Sequence, residues 1–236
     1  MEKQLSKQEK IQLFAQKFPN EAQIIETIRD KKLTYCGYPK LENICQVIDD
    51  LKQKNVPGIY LEAGCALGGS AILIAKTKPR STPLYLFDVF ATIPPPSERD
   101  GVDAHIRYEE IASGKSKGLG DNIYYGYLEN LEDTVVSNLE NFGLNLELDR
   151  IKLIKGLFEE TLYIQDLVAF AHIDCDWYDS VKVCIDRITP KMSSGAVIVF
   201  DDYNSYSGCK VAVDELLADN EFNVVCSERS IILAKR

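Results

Sequence analysis

The period of the apolar positions changes along this chain. Between residues 3 and 30 they fall at Leu5, Ile11, Leu13, Phe14, Phe18, Ile24, Ile25 and Ile28. That is amphipathic helical spacing, and Pro19-Asn20 breaks it. A turn-rich stretch with two tyrosines covers 33–39, after which Leu41, Ile44, Cys45, Ile48 and Leu51 return to one helical face. Pro57-Gly58 ends that element. Beyond it, apolar runs predict strands at 59–63, 84–88, 151–154, 168–173 and 196–200. Helical patterns at 70–76, 131–142 and 180–188 separate most of them. Two last runs, 222–226 and 230–234, flank a short polar turn and predict a hairpin, so at least one edge strand should be antiparallel.

Strands alternating with helices predict an α/β fold: a Rossmann-like, doubly wound, mostly parallel seven-stranded sheet with an antiparallel C-terminal strand. Residues 1–56 are expected to form an N-terminal helical segment and 57–236 the sheet domain. One stretch breaks the alternation. Pro94-Pro95-Pro96 opens an insertion of about 94–127, rich in Gly, Ser and Lys, which reads as irregular. An irregular stretch of that length inside a compact domain is an active-site lid or disordered.

Composition narrows the partners. A net charge of -9 argues against nucleic acid and anionic membranes, which select basic surfaces. The seven cysteines show no Cys-x-x-Cys pair or metal-finger spacing, and several lie in apolar runs, as reduced thiols do. The N-terminus has no apolar signal core and no run is long enough to span a bilayer, so a cytoplasmic location is expected.

Two features carry chemistry. After the first strand the chain reads Leu61-Glu62-Ala63-Gly64-Cys65-Ala66-Leu67-Gly68-Gly69-Ser70 and enters a helix. Glycines allow close backbone approach, and the helix start offers free N–H groups. Asp88 ends the next strand, where a carboxylate can accept from both ribose hydroxyls, so an adenosine-type ligand is expected. The bland alternative is a tight strand-to-helix turn. A dinucleotide loop would want a further glycine where Ser70 stands, and Tyr178-x-x-x-Lys182 mimics a dehydrogenase pair without the upstream serine. A sulfonium cofactor fits better, since an acid such as Glu62 suits a cationic ligand and repels a pyrophosphate. The second feature is Asp174 and Asp176 closing one apolar run and Asp201 and Asp202 closing another. Carboxylates at buried strand ends are costly unless something positive joins them, and a hard divalent cation such as Mg²⁺ would suit them. Solvent-facing loop acids are the plainer alternative.

These residues resemble the macrocin-type O-methyltransferases, metal-dependent enzymes that methylate sugar hydroxyls of natural products. The resemblance runs from about Tyr35 to the C-terminus. It rests on Tyr38-Pro39-Lys40-Leu41-Glu42-Asn43, the glycine loop, Phe87-Asp88-Val89-Phe90 with the three prolines, and Gly156-Leu157-Phe158-Glu159-Glu160-Thr161-Leu162. Its most specific segments are His172-Ile173-Asp174-Cys175-Asp176-Trp177-Tyr178-Asp179-Ser180, Asp201-Asp202-Tyr203 and Gly208-Cys209-Lys210-Val211-Ala212-Val213-Asp214. The chain departs from the family's pattern at Val89 and Thr92, and 97–120 follows no pattern of it.

The resemblance implies S-adenosylmethionine and Mg²⁺ as cofactors. Glu62, Gly64, Cys65, Gly68, Ser70, Asp88, Phe90, Gly156, Phe158 and Asp174 would bind the former, and Asp174, Asp201 and Asp202 the latter. Asp176 would be the general base that takes the proton from a hydroxyl of a small-molecule acceptor. The first helices would serve as a substrate lid or a homodimer contact. The nearest rival is a catechol or caffeoyl-type O-methyltransferase; a scaffold that binds the cofactor without turnover is the rival from another class. Tyr35, Tyr38 and Tyr206 are expected either to line an acceptor pocket or simply to pack, while Trp177 packs, His172 is a buried hydrogen-bonded histidine and His105 a loop residue.

Overall fold

The computed structural model describes residues 6–236; Leu5 lies outside them. Seven strands form one sheet: β1 (Ile59–Ala63), β2 (Leu84–Asp88), β3 (Ile151–Lys155), β4 (Val168–Ile173), β5 (Met192–Phe200), β6 (Phe222–Cys226) and β7 (Ile231–Lys235). Their order is β3-β2-β1-β4-β5-β7-β6. The first five are parallel, and β7 runs antiparallel to both β5 and β6. The antiparallel strand therefore lies inside the edge, and β6 at the edge points the same way as β5.

Nine α-helices accompany the sheet: α1 (Lys7–Lys17), α2 (Pro19–Asp30), α3 (Tyr38–Lys54), α4 (Gly69–Thr77), α5 (Val102–Ala112), α6 (Leu131–Asn141), α7 (Phe158–Thr161), α8 (Tyr178–Ile188) and α9 (Ser207–Ala218), counted among the described residues. The break between α1 and α2 falls where Pro19 occupies the first turn, as its missing N–H and fixed φ favour. Strand alternation divides the core. Ile59, Leu61 and Ala63 of β1 meet α8 and α9, whereas Tyr60 faces the layer of α1 to α4 and α6. Glu62, His172 and Asp201 share the parity of Tyr60, Phe170 and Val199, so their side chains lie on the α3–α4 face.

Several elements differ from the sequence reading, the short helix α7 among them. The insertion contains α5 and a short 3-10 turn at Tyr125–Tyr127, so it is not irregular throughout. Its helix escaped notice because only Ala104 and Ile111 of α5 are buried. Helix α9 was not anticipated either; its buried face of Gly208, Cys209, Ala212, Val213 and Leu216 is mostly small residues. Strand β5 begins at Met192, before the apolar run, and bulges against β4 around Gly195, whose φ is 78°.

Candidate active site

Strand order reverses between β1 and β4, and in open α/β sheets ligands bind in the crevice beyond such a point. Gly64 and Asp174 leave the sheet there side by side. The Asp174 N–H donates to Ala63 O at 2.9 Å and the Gly64 N–H to Phe87 O at 2.9 Å. The glycine loop then folds over Asp88. The backbone N–H groups of Cys65 (2.6 Å) and Ala66 (3.2 Å) donate to one Asp88 oxygen, and that of Phe90 (2.7 Å) to the other. Burial still outweighs these donors and raises the Asp88 carboxyl above the ordinary range. Ala66, Phe90 and Asp176 all adopt positive φ, at 45°, 48° and 62°, which concentrates backbone strain around one crevice.

The four aspartates meet one level further out. Ligand atoms of Asp174, Asp176 and Asp202 lie within 4.8 Å of one another, and those of Cys36, Asp174 and Asp201 form a second such group. Burial, then the charges of Asp201 and Asp202, push Asp174 well above the usual carboxylate range. Burial, then Asp202, does the same to Asp176, and burial with Asp201 raises Asp202. Asp201 differs. Burial would raise it, but His172 and Lys40 outweigh burial and hold it low. Lys40 Nζ donates to Asp201 Oδ2 at 2.5 Å and to Asp201 O at 3.0 Å.

Beneath this cluster runs a buried chain of charge. His172 Nδ1 lies 2.8 Å from Glu62 Oε1, both side chains being fully buried. His172 Nε2 faces Asp201 Oδ1 at 3.8 Å, and among the described residues neither atom has a hydrogen-bond partner. Burial opposes an imidazolium, yet Asp201 and Glu62 overcome it and lift the His172 pKa to about 10. The like-charged oxygen donors of Asp174, Asp176 and Asp202 fit a hard divalent ion, and Asp202 Oδ2 is buried with no hydrogen-bond partner among the described residues.

Two cavities open on these carboxylates. One, of about 240 Å³, is lined by Gly64, Asp88, Gly156, Phe158, Asp174 and Trp177 among others. The other, of about 300 Å³, is walled by Tyr35, Tyr124, Tyr125, Tyr206, Lys40 and Arg107 together with all four aspartates. Gly64, Asp88, Tyr125, Asp174 and Asp176 border both. The insertion roofs them. Trp177 Nε1 donates to Pro94 O at 2.9 Å, and Asp100 accepts from the backbone of Tyr178 (2.7 Å) and Ser97 (3.0 Å).

Of the residues expected at a cofactor, Gly64, Asp88, Gly156, Phe158 and Asp174 border the smaller cavity. Glu62, Cys65, Gly68, Ser70 and Phe90 border neither. Glu62 is turned behind the loop toward His172, Ser70 is buried in α4, and the space over Gly68 belongs to Val135. Tyr35 and Tyr206 wall the larger cavity, but Tyr38 packs edge-on against Phe14 in the core. Trp177 is buried as expected, and His105 is exposed on α5. Sequence reasoning gave no role to Lys40, Arg107, Tyr124, Tyr125 or Asp100. Only Lys40 carried a local signal, since a cation in the first turn opposes the helix dipole.

A sequence profile described as macrocin-O-methyltransferase (TylF) matches residues 5–226. The demethyldecarbamoylnovobiocin O-methyltransferase of Streptomyces niveus is 30% identical over 191 residues, covering 78% of this chain and 68% of that protein. The mycinamicin III 3''-O-methyltransferase of Micromonospora griseorubida is 24% identical over 189 residues, covering 77% and 69%. Among solved structures, the O-methyltransferase NovP superposes with a TM-score of 0.71 at 26% identity, covering 86% of this chain and 82% of that one. A putative caffeoyl-CoA O-methyltransferase from Staphylococcus aureus shares the fold, with a TM-score of 0.61 at 13% identity over 96% of both chains.

Proposed function

The chain belongs to the macrocin O-methyltransferase family and is an S-adenosylmethionine-dependent O-methyltransferase; we propose that its acceptor is a sugar hydroxyl of a small natural product and that Mg²⁺ assists the transfer. The observation that carries this reading is the junction of two cavities at Asp174 and Asp176. The smaller cavity, at the glycine loop and Asp88, suits the methyl donor. The larger, walled by tyrosines and two cations, suits the acceptor, because amphipathic rings take both faces and hydroxyls of a sugar. By their names, the relatives above are O-methyltransferases of demethyldecarbamoylnovobiocin and of mycinamicin III at its 3'' position, which supports a small-molecule acceptor.

Asp202, grouped with Asp174 and Asp176, and Asp201, grouped with Asp174 and Cys36, would hold the ion together with Asp174, which belongs to both groups. When bound, it would supply Lewis acidity toward an acceptor hydroxyl, lowering that hydroxyl's pKa. The remaining work falls to the chain. Asp176, bordering both cavities, would take the hydroxyl proton at its carboxylate. Tyr35, Tyr124 and Tyr206 would orient the acceptor, and the roof of 94–127 would exclude water. Such transfer depends on placing oxygen and methyl in line, so positioning supplies much of the rate.

A catechol-type acceptor needs a narrow apolar slot, and the lysine, arginine and four tyrosines of the larger cavity argue for a wider polar one. A panel of glycosides and phenols, assayed for methylated product before and after chelation, decides both points. Methylation of phenols alone would sink the sugar reading. Full activity after exhaustive chelation would sink the metal.

A further inference from the structure

Residues 33–40 cross the site as a strap with an anchor at each end. At one end Leu33 O accepts from the Gly69 N–H at 3.0 Å, so close that a Cβ at residue 69 would sit 2.4 Å from that oxygen. The strap leaves α2 through Lys32, whose φ is 58°, and enters α3 at Gly37. Between them Tyr35 packs edge-on against Tyr125, with ring centroids 5.7 Å apart. Cys36 Sγ comes within 3.7 Å of Asp174 Oδ2 and 3.8 Å of Asp201 Oδ2. At the other end Lys40 grips Asp201 by its carboxylate and its carbonyl.

Lys40 is not placed for its own helix. The first turn of α3 contains no acid, and the helix dipole disfavours a cation there, whereas Lys52 and Lys54 occupy the last turn where cations are favoured. Its ammonium instead fills the position of a cation beside the Cys36–Asp174–Asp201 group. An oxygen shared by that ammonium and a divalent ion would hold two positive charges side by side in a buried cluster, where their repulsion is poorly screened.

We propose that Lys40 is a positioning residue that competes with the divalent ion for Asp201, so that the strap is latched in the metal-free enzyme and released when the ion binds. The inference rests on the reading of the acid cluster as a metal site. Release removes the side-chain tie beside the segment that carries Tyr35 and Cys36, both of which border the acceptor cavity, while α3 itself stays packed through Tyr38 and Leu41. Metal binding therefore precedes full opening of that cavity to the acceptor, while the Gly69 anchor keeps the strap in place over the glycine loop.

The test is Mg²⁺ titration calorimetry on the full chain and on Lys40→Met, with hydrogen–deuterium exchange followed over residues 33–37. Lys40→Met should bind Mg²⁺ about tenfold more tightly, the change expected for one lost charge-assisted contact. In the wild type, Mg²⁺ should accelerate exchange in the strap; in Lys40→Met exchange should be fast already and respond little. Should Lys40→Met melt too low to study, Lys40→Gln is read in the same way. Measurable Mg²⁺ binding with equal or weaker affinity in the variant overturns the latch alone, as does a wild-type strap whose exchange ignores the ion. If Mg²⁺ binds neither protein, the metal reading falls and the latch with it.

Discussion

Gly64 leaves no room between its α-carbon and Asp174: a Cβ at residue 64 would lie 2.0 Å from the Asp174 carbonyl oxygen. With φ at 89°, the position also sits where side chains are strained. The glycine loop and the first carboxylate of the acid cluster are thus locked at one point of the sheet. Gly64→Ala should separate the ends of β1 and β4 and cost about 1–3 kcal/mol in strain alone. At roughly 2–4 °C per kcal/mol for a chain of this size, calorimetry should read a clear fall in Tm together with lost turnover. Gly114→Ala is the control. Its φ is 75° but none of the described residues comes within 4 Å of the added atom, so it should cost strain without a clash.

Asp176→Asn keeps the shape of the cluster and tolerates the same positive φ of 62°, a conformation that Asn and Asp share. As the proposed base it should lose about 10²–10⁴-fold in kcat while cofactor affinity, read by calorimetry, stays near wild type. Turnover within a few-fold of wild type would remove Asp176 from that role.

His172 makes stability depend on alkaline pH. Its folded pKa of about 10 stands above the ordinary 6.5, so the folded state holds a proton that the unfolded chain releases. That contribution is fully present below about 6.5 and is lost as pH rises through about 10. His172→Gln should start from a lower Tm, because Glu62 loses its charged partner inside the core. Its Tm should then decline less than that of the wild type across this window. Parallel Tm–pH curves would show that the histidine is not the group titrating.

How much of this was legible depends on whether the cause was local. The glycine loop and the aspartate pairs stood out because apolar runs of period two or none ended in residues that cannot be buried cheaply. Helix α5 did not, because what orders it lies elsewhere in the chain: Ser207 donates to Asp103 from N–H and hydroxyl, both at 2.7 Å, and Tyr127 OH donates to Ile111 O at 2.6 Å. Glu62 was expected beside a cationic ligand, and its carboxylate does face a cation, but one supplied by His172 on the neighbouring strand. Lys40 meets Asp201 across 161 positions, a pairing that spacing cannot reveal.

Asp100 ties the roof to the floor. It accepts from Tyr178 N at the start of α8 and from Ser97 N within the insertion, and it is buried. Asp100→Ala leaves two backbone donors unsatisfied, at about 1–2 kcal/mol by analogy with a lost helix cap. Asp100 borders the smaller cavity, so with the roof loosened and the four site aspartates untouched, the S-adenosylmethionine KM should rise several-fold more than kcat falls. An equal loss in both constants would place Asp100 in the chemistry instead.

The acid cluster should couple metal, proton and stability in one measurable way. Asp174, Asp176 and Asp202 all carry carboxyls raised above the ordinary range, with burial as the largest cause and neighbouring carboxylates adding to it. A raised folded pKa means that the folded state binds protons the unfolded chain has already given up. Metal-free stability should therefore fall as pH climbs from the ordinary carboxylate value, about 4, through these raised values. Mg²⁺ held by Asp174 and Asp202 requires their carboxylates deprotonated, so its binding expels protons and strengthens as pH rises. The Tm gained on adding saturating Mg²⁺ should accordingly grow as pH rises above the ordinary carboxylate value of about 4, and Asp202→Asn should flatten that growth. Scanning calorimetry with and without the ion at each pH gives the increment directly. An increment that stays constant across the range would mean that the ion and the protons are bound by different groups.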